Sequence, residues 1–295
     1  MKIAYYPGCT LKTKGLAFEI SALAVLKKLD WEVAELPRWN CCGTVYSLAG
    51  DDLIHQVAPI RNLIRVKETG ARRVLTLCSF CYHTLKRANA FFKADEQKRQ
   101  RLSNYLDDES VGYEGEVETI HLLTLLKDEI GFETLRAKVA RPLAGLRVVP
   151  YYGCTLLRPA EVAIDDPERP TIMESLLRAL GADVADDPYR TECCGSFQTV
   201  SNPEFVLEAS KNILASAARR KADLIALSCP LCDFNLGRRQ FDIATREPGF
   251  NKIPTVYFSQ LLALALGLGE KECAWEHNYI DPRPALGARG LTIDH

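Results

Sequence analysis

Two periods of apolar residues alternate along this chain. Short runs rich in Val, Ile, Leu and Tyr read as strands at Lys2–Tyr6 and Arg147–Tyr152, bounded by Gly or Pro, and at Arg73–Leu77 and Leu224–Leu227, which feed directly into a CxxC. Trp31–Leu36 and Asp183–Ala185 are weaker strand candidates, and Glu118–His121 and Thr255–Phe258 complete the series. Between them residues at helical spacing recur three and four apart, as in Ile20, Leu23, Ala24 and Leu26, or the apolar Ile60, Leu63 and Ile64 with Lys67. Ile172, Leu176, Leu177 and Leu180 repeat the pattern, as do Val206, Ala209, Ile213 and Leu214, so each set predicts a helix. Strands alternating with helices predict an α/β fold with mostly parallel sheets flanked by helices.

The order of elements occurs twice. Leu29 to Pro37 lies over Leu180 to Pro188 without a gap, and Thr119-Ile120-His121-Leu122 lies over Thr255-Val256-Tyr257-Phe258. Tyr5-Tyr6-Pro7-Gly8-Cys9 matches Tyr151-Tyr152-Gly153-Cys154 with one residue deleted. A twofold repeat with a period near half the chain means two like domains rather than a solenoid. They are expected to be related by a pseudo-twofold axis, with the boundary in Arg141-Pro142-Leu143-Ala144-Gly145, giving domains 1–143 and 144–295. The first carries fifteen extra residues in the charged stretch Phe92–Ser110, which reads as a solvated helix with paired charges.

The chain has 295 residues, 37 basic against 38 acidic, for a net charge of −1. No basic surplus points to nucleic acid. Its longest apolar stretch, Leu261–Leu268, is far shorter than a spanning helix, and the N-terminus lacks the pattern of a signal peptide. These features predict a soluble cytoplasmic protein with no direct membrane span.

Cysteine changes the picture, with 11 in the chain. Cys9, Cys41, Cys42, Cys78 and Cys81 read C-x31-C-C-x35-C-x2-C, and Cys154, Cys193, Cys194, Cys229 and Cys232 read C-x38-C-C-x34-C-x2-C. Cys9, Cys78, Cys154 and Cys229 each follow a strand, at the carboxyl edge where open parallel sheets bind ligands. Cys41-Cys42-Gly43 and Cys193-Cys194-Gly195 lie on loops able to fold over that edge. CxxC is a common zinc half-site, but structural zinc takes four ligands. Five thiolates, two of them adjacent and pointing apart, suit a wider object, and iron–sulfur clusters are held by thiolates. A vicinal redox disulfide at Cys41-Cys42 is a third reading.

These residues resemble the heterodisulfide reductase B-subunit family, whose two cysteine-rich CCG domains carry the same pattern. The resemblance spans almost the whole chain and rests on Tyr6-Pro7-Gly8-Cys9-Thr10-Leu11, Trp39-Asn40-Cys41-Cys42-Gly43, Cys78-Ser79-Phe80-Cys81, Tyr151-Tyr152-Gly153-Cys154, Cys193-Cys194-Gly195, Cys229-Pro230-Leu231-Cys232 and Asp281-Pro282-Arg283-Pro284. The second long spacing, x34, is one residue short of the family's range. The resemblance implies two noncubane 4Fe–4S clusters, each held by one set of five cysteines. A small anionic disulfide would enter between them and be cleaved reductively, its two sulfurs captured by one cluster each. In methanogens that substrate is the mixed disulfide of coenzyme M and coenzyme B. Electrons would come from a separate ferredoxin-like iron–sulfur subunit, which a flavin-containing subunit feeds in turn. CCG domains also serve in electron-transfer subunits of succinate, fumarate, glycolate and lactate oxidoreductases and of benzoyl-coenzyme A reductase complexes. A zinc-stabilised structural protein is the remaining alternative.

Several further residues are candidates. His83 could bond a cluster sulfur or protonate a leaving thiolate, or simply pack. Gly8, Gly43, Gly153 and Gly195 suit tight turns against the cofactors. Lys12, Lys14, Arg158 and Arg190 would form a basic funnel for an anionic substrate, unless they are only solvated. Tyr5, Tyr6, Tyr151 and Tyr152 are expected to alternate between core and site, and Cys273, near His277, reads as a spare thiol.

Overall fold

The computed structural model describes residues 1–44, 53–106, 109 and 112–293. Eight strands fall within one residue of the expected runs: β1 Lys2–Tyr5, β2 Glu32–Glu35, β3 Arg73–Thr76, β4 Glu118–His121, β5 Arg147–Tyr151, β6 Asp183–Val184, β7 Leu224–Leu227 and β8 Thr255–Tyr257. They form two four-stranded sheets, ordered β2-β1-β3-β4 and β6-β5-β7-β8, and every pairing is parallel. Both are α/β units related by pseudo-twofold symmetry. In each, the chain turns from one side of its first strand to the other, which opens a crevice at the carboxyl ends of β1 and β3, or of β5 and β7. All four residues of β7 are buried, as a continuous apolar run in a parallel sheet requires.

Pairing corrects one alignment of the halves. Tyr5 stands opposite Leu75, and Tyr151 stands opposite Leu227. Counting to each CxxC, Leu227 is the counterpart of Thr76, so Tyr151 corresponds to Tyr6 and not to Tyr5. Tyr6-Pro7-Gly8-Cys9 therefore lies over Tyr151-Tyr152-Gly153-Cys154 with no deletion. The Tyr doublets mislead because Tyr152 occupies the position of Pro7.

The halves are joined by reciprocal helix pairing. Helix Leu16–Lys28 packs on Phe258–Ala265, while Leu122–Leu125 packs on Ile172–Ala179. Phe18 stacks on Tyr257 at 4.5 Å between centroids and meets Phe258 edge-on at 5.4 Å. The deep side of the first helix is Ala17, Phe18, Ser21, Ala22 and Val25, whereas Ile20 and Leu23 are only half-buried. Of the expected stripe only Leu26 is fully buried, while Ile20, Leu23 and Ala24 lie to the shallower side. One fully buried position, Ser21, is polar and pairs with Ser259 at 2.6 Å across the interface. The charged stretch in the first half forms helix Glu96–Asn104, started by Asp95 accepting the Lys98 N–H. Ser110, at its end, lies outside the described residues.

His121 closes β4 in a fully buried setting. Its Nε2–H donates to the Leu77 carbonyl at 2.8 Å, and its Nδ1 accepts the Leu123 N–H at 3.2 Å. Burial pushes its pKa down to about 4. The unfolded chain binds this proton below about pH 6.5 and the folded chain does not. The stabilisation is complete above about pH 6.5 and is lost as pH falls toward 4. The urea-midpoint stabilities of the parent and His121→Gln should therefore converge by about 1 kcal/mol between pH 7.5 and 5.5. A gap that does not change with pH would contradict the assignment.

Candidate functional site

Each crevice gathers three chain segments. Cys9 follows β1, and its Sγ lies 3.7 Å from Cys41 Sγ on the CCG loop. Cys42 and Cys81 interact closely enough to shift each other's ionisation. In the second half Cys154 Sγ lies 3.9 Å from Cys193 Sγ, and Cys194 Sγ lies 3.5 Å from Cys232 Sγ. All ten cysteines of the repeat are thus drawn into two sets of five. Cys9, Cys41 and Cys193 are exposed, Cys154 is half-buried, and the other six are buried.

Local structure explains the convergence. Cys78 is the N-cap of helix Ser79–Ala94, and Cys229 that of Pro230–Asp233. The CxxC therefore wraps a helix N-terminus, where unpaired N–H groups face the sulfurs. Cys78 is held well below its usual pKa, first by the Cys229 thiol and then by Cys81, with the N–H groups of Cys81 and Phe80 adding to the effect. Cys193 is pushed down to about 6 by the Cys154 thiol, with the Gly195 N–H assisting. Gly8, Gly43, Gly153 and Gly195 all have positive φ. At Gly8 the reason is steric as well, since a Cβ would stand 2.7 Å from Cys81 Sγ. Gly153 is similar, with 3.3 Å to Cys232 Sγ.

Tyr6 and Tyr151 tie each CCG loop to its strand. Tyr6 OH donates to the Asn40 carbonyl at 2.8 Å, and Tyr151 OH donates to the Glu192 carbonyl at 2.7 Å. Each acceptor immediately precedes the Cys-Cys pair. Tyr5 and Tyr152 instead bond buried carboxylates, Glu19 and Glu174. All four rings are buried, and two of them brace the site.

The two sites face one another. Ser79 and Ser228, the sequence neighbours of Cys78 and Cys229, meet across the interface with 3.1 Å between their hydroxyl oxygens. Ser79 Oγ also donates to the Ser228 carbonyl at 2.9 Å. A cavity of about 330 Å³ opens here, lined by all five cysteines of the first set and by Phe80, with Thr199, Pro230, Leu231 and Phe234 reaching in from the second half.

The expected basic funnel is reduced to one residue. Lys14 lines the cavity and makes no ion pair among the described residues. Lys12 is held by Glu19 at 2.8 Å and by Glu35 at 2.6 Å. Arg190 is held by Glu174 at 3.2 Å and by Asp186 at 2.6 Å, and Arg158 by Glu168 at 3.2 Å. Apart from Asp186, four residues from Arg190, these partners lie far enough along the chain that spacing gives no sign of them. Of the roles weighed for His83, the structure shows packing. Its Nδ1 bonds the Thr155 carbonyl at 3.1 Å, so the ring bridges the halves beside Cys154 instead of bonding a cysteine sulfur. Cys273 is fully buried, its pKa pushed up to about 12 by burial. His277 is partly exposed, next to Glu276.

Sequence reasoning overlooked three polar side chains at the sulfurs. Thr44 Oγ1 contacts Cys42 Sγ at 2.7 Å, and Thr84 Oγ1 braces it at 3.3 Å. Asn235 Nδ2 donates to Cys194 Sγ at 3.4 Å. Their signal is positional: Thr44 stands two residues beyond Cys42, while Thr84 and Asn235 each stand three beyond a CxxC.

The donor set fits an iron–sulfur cluster in each half. Both sets are all-thiol, converge from three segments and sit where glycine leaves room for sulfur. Among the described residues, no three Cys, His, Asp or Glu side chains are gathered to hold a single metal ion.

Comparison with known proteins agrees with this geometry. The CCG family, described as a cysteine-rich domain, matches residues 3–86 and 148–237. The 8-methylmenaquinol:fumarate reductase membrane anchor subunit of Wolinella succinogenes is 32% identical over 95% of this chain and 97% of its own length. The B-subunit of the ferredoxin/F(420)H(2)-dependent CoB-CoM heterodisulfide reductase of Methanosarcina acetivorans is 29% identical over 95% of this chain and 94% of its own. A heterodisulfide reductase B-subunit-like protein of Archaeoglobus profundus is 29% identical over 93% of both. A crystal structure of a hypothetical protein from Helicobacter pylori superposes with a TM-score of 0.78 at 12% identity, which speaks to the fold alone. It covers 94% of this chain, which spans about half of that one, at 51%.

Proposed function

We propose, from the premise that this chain belongs to the CCG family in the two-domain form of the heterodisulfide reductase B-subunit, that it is the iron–sulfur subunit of an oxidoreductase complex that cleaves a disulfide. The observation that supports the reading is the cavity between the halves, which opens onto all five cysteines of the first set and is walled by Pro230 and Leu231 from within the second half's CxxC. In this reading residues 1–143 hold one noncubane 4Fe–4S cluster through Cys9, Cys41, Cys42, Cys78 and Cys81. Residues 144–295 hold the other through Cys154, Cys193, Cys194, Cys229 and Cys232. When bound, the pair would supply one electron to each sulfur of the disulfide, matching a two-electron reduction to one-electron donors.

This chain's own residues do the rest. The cavity between the halves admits the substrate. Phe80, Leu231 and Phe234 give it an apolar wall that excludes water, and Lys14 supplies one positive charge to orient an anionic end. Electrons would pass from a flavin-containing partner to a ferredoxin-like iron–sulfur partner and then to this chain, since no dinucleotide-binding G-x-G-x-x-G follows a strand here. No helix among the described residues is long and apolar enough to cross a membrane, so membrane contact would run through a partner.

Metal and sulfide analysis after anaerobic purification should find roughly eight iron atoms per chain with acid-labile sulfide. About two zinc atoms without sulfide would overturn the reading. A second reading, an electron-carrying subunit of a quinol-linked reductase, is favoured by the 32% identity to the fumarate reductase relative. There the same sites would pass electrons without binding a disulfide.

A further inference from the structure

We propose that the two sites are electronically inequivalent, and that Thr44 in the first half and Asn235 in the second each set the reduction potential of their own cluster. The inference rests on the cluster reading above and adds roles for residues outside the two cysteine sets.

The halves bond the same sulfur by different means. Cys42 and Cys194 are equivalent, each the second cysteine of a CCG loop. Cys42 Sγ meets a hydroxyl, Thr44 Oγ1, which is itself braced by Thr84 Oγ1. Cys194 Sγ meets an amide, Asn235 Nδ2, which also spans the carbonyls of Cys194 at 3.2 Å and Ser196 at 2.9 Å. Asn235 and Thr84 occupy the same place, three residues beyond the CxxC. The second half thus reaches the sulfur directly from the helix, whereas the first reaches it through an intervening hydroxyl. Ser196 stands where Thr44 does, but its φ is +51° and its backbone N–H assists Cys194 instead.

The chemistry fixes the sign. A thiolate ligand gains negative charge when its cluster is reduced. A donor aimed at that sulfur strengthens its bond in the reduced state and raises the potential. Removing the donor lowers it. The surroundings differ too, because the cavity opens onto all five cysteines of the first set. Unequal potentials would give the pair a direction, with one site holding the first electron until the second arrives.

A redox series followed by electron paramagnetic resonance on the loaded full-length chain tests this. The parent should show two resolved one-electron steps. Thr44→Val should move one step to more negative potential by about tenfold in the reduction equilibrium, or ~59 mV. Asn235→Leu should move the other, and Thr44→Ser, which keeps the hydroxyl, should restore the parent value. Should Asn235→Leu lose iron, the contrast of Thr44→Val with Thr44→Ser decides alone. An iron-loaded chain in which Thr44→Val moves neither step, or moves both equally, overturns the inference and leaves the cluster reading intact. A chain without iron and sulfide overturns both.

Discussion

Cys78→Ser and Cys229→Ser should each abolish disulfide cleavage, by at least about 100-fold, although each alters only one of the two sites. Each residue stands at the N-cap position of a helix, belongs to one five-cysteine set and lies next to a serine, Ser79 or Ser228, that meets its counterpart across the interface. Serine can still cap a helix, so the fold should survive. Oxygen is a poorer ligand than sulfur for iron of this kind, so one site should be lost or impaired. If each site captures one substrate sulfur, neither can act alone. The measurement uses a reduced viologen dye as electron source and the coenzyme M–coenzyme B heterodisulfide as acceptor, with iron per chain and circular dichroism as controls. A folded variant lacking one set's iron that keeps near-parental cleavage would eliminate the two-site mechanism. It would favour the electron-carrying reading, in which the site beyond the exit point is dispensable.

Phe18→Ala should cost about 3–5 kcal/mol, the range for removing a buried aromatic ring. Phe18 is fully buried, stacks on Tyr257 and meets Phe258 edge-on, so its ring fills the joint between the halves. The cavity left behind would lie beside Ser21 and Ser259, whose 2.6 Å contact depends on the same dry surroundings. The loss should appear in the urea midpoint. It should also appear as faster proteolysis between the halves, because the joint opens before either sheet does. Phe18→Leu should recover much of the stability. A Phe18→Ala variant within about 1 kcal/mol of the parent would mean that the stacking contributes little and that the other helix pair carries the joint.

Strands and cysteine placement were legible because each depends on short-range pattern. An apolar run such as Leu224–Leu227 has no alternative in a parallel sheet, and a cysteine two residues beyond it must fall at the carboxyl edge. What was not legible depends on partners distant in sequence. Ser21 looks out of place on an apolar helix until Ser259 is seen opposite. Lys12 and Arg190 read as free charges until Glu19, Glu35 and Glu174 are brought to them. The tyrosine doublets invited a one-residue gap, and only strand pairing decides which ring holds the CCG loop. His83 was judged from its nearness to Cys81 in sequence, but the helix turns it to Thr155 of the other half.

The reciprocal helix pairing has a consequence for biosynthesis. Leu16–Lys28 leaves the ribosome about 230 residues ahead of its partner Phe258–Ala265. At roughly 5–20 residues per second, Phe18 and Val25 wait some 10–50 s with their face uncovered. During that wait the first set of thiols has no second half to close its cavity. Cys78 and Cys81, buried in the finished protein, stand open to iron carriers and to oxidants alike. A cluster taken up by the first half would therefore have its widest opportunity on the nascent chain, which ends once Phe258–Ala265 is made and docks.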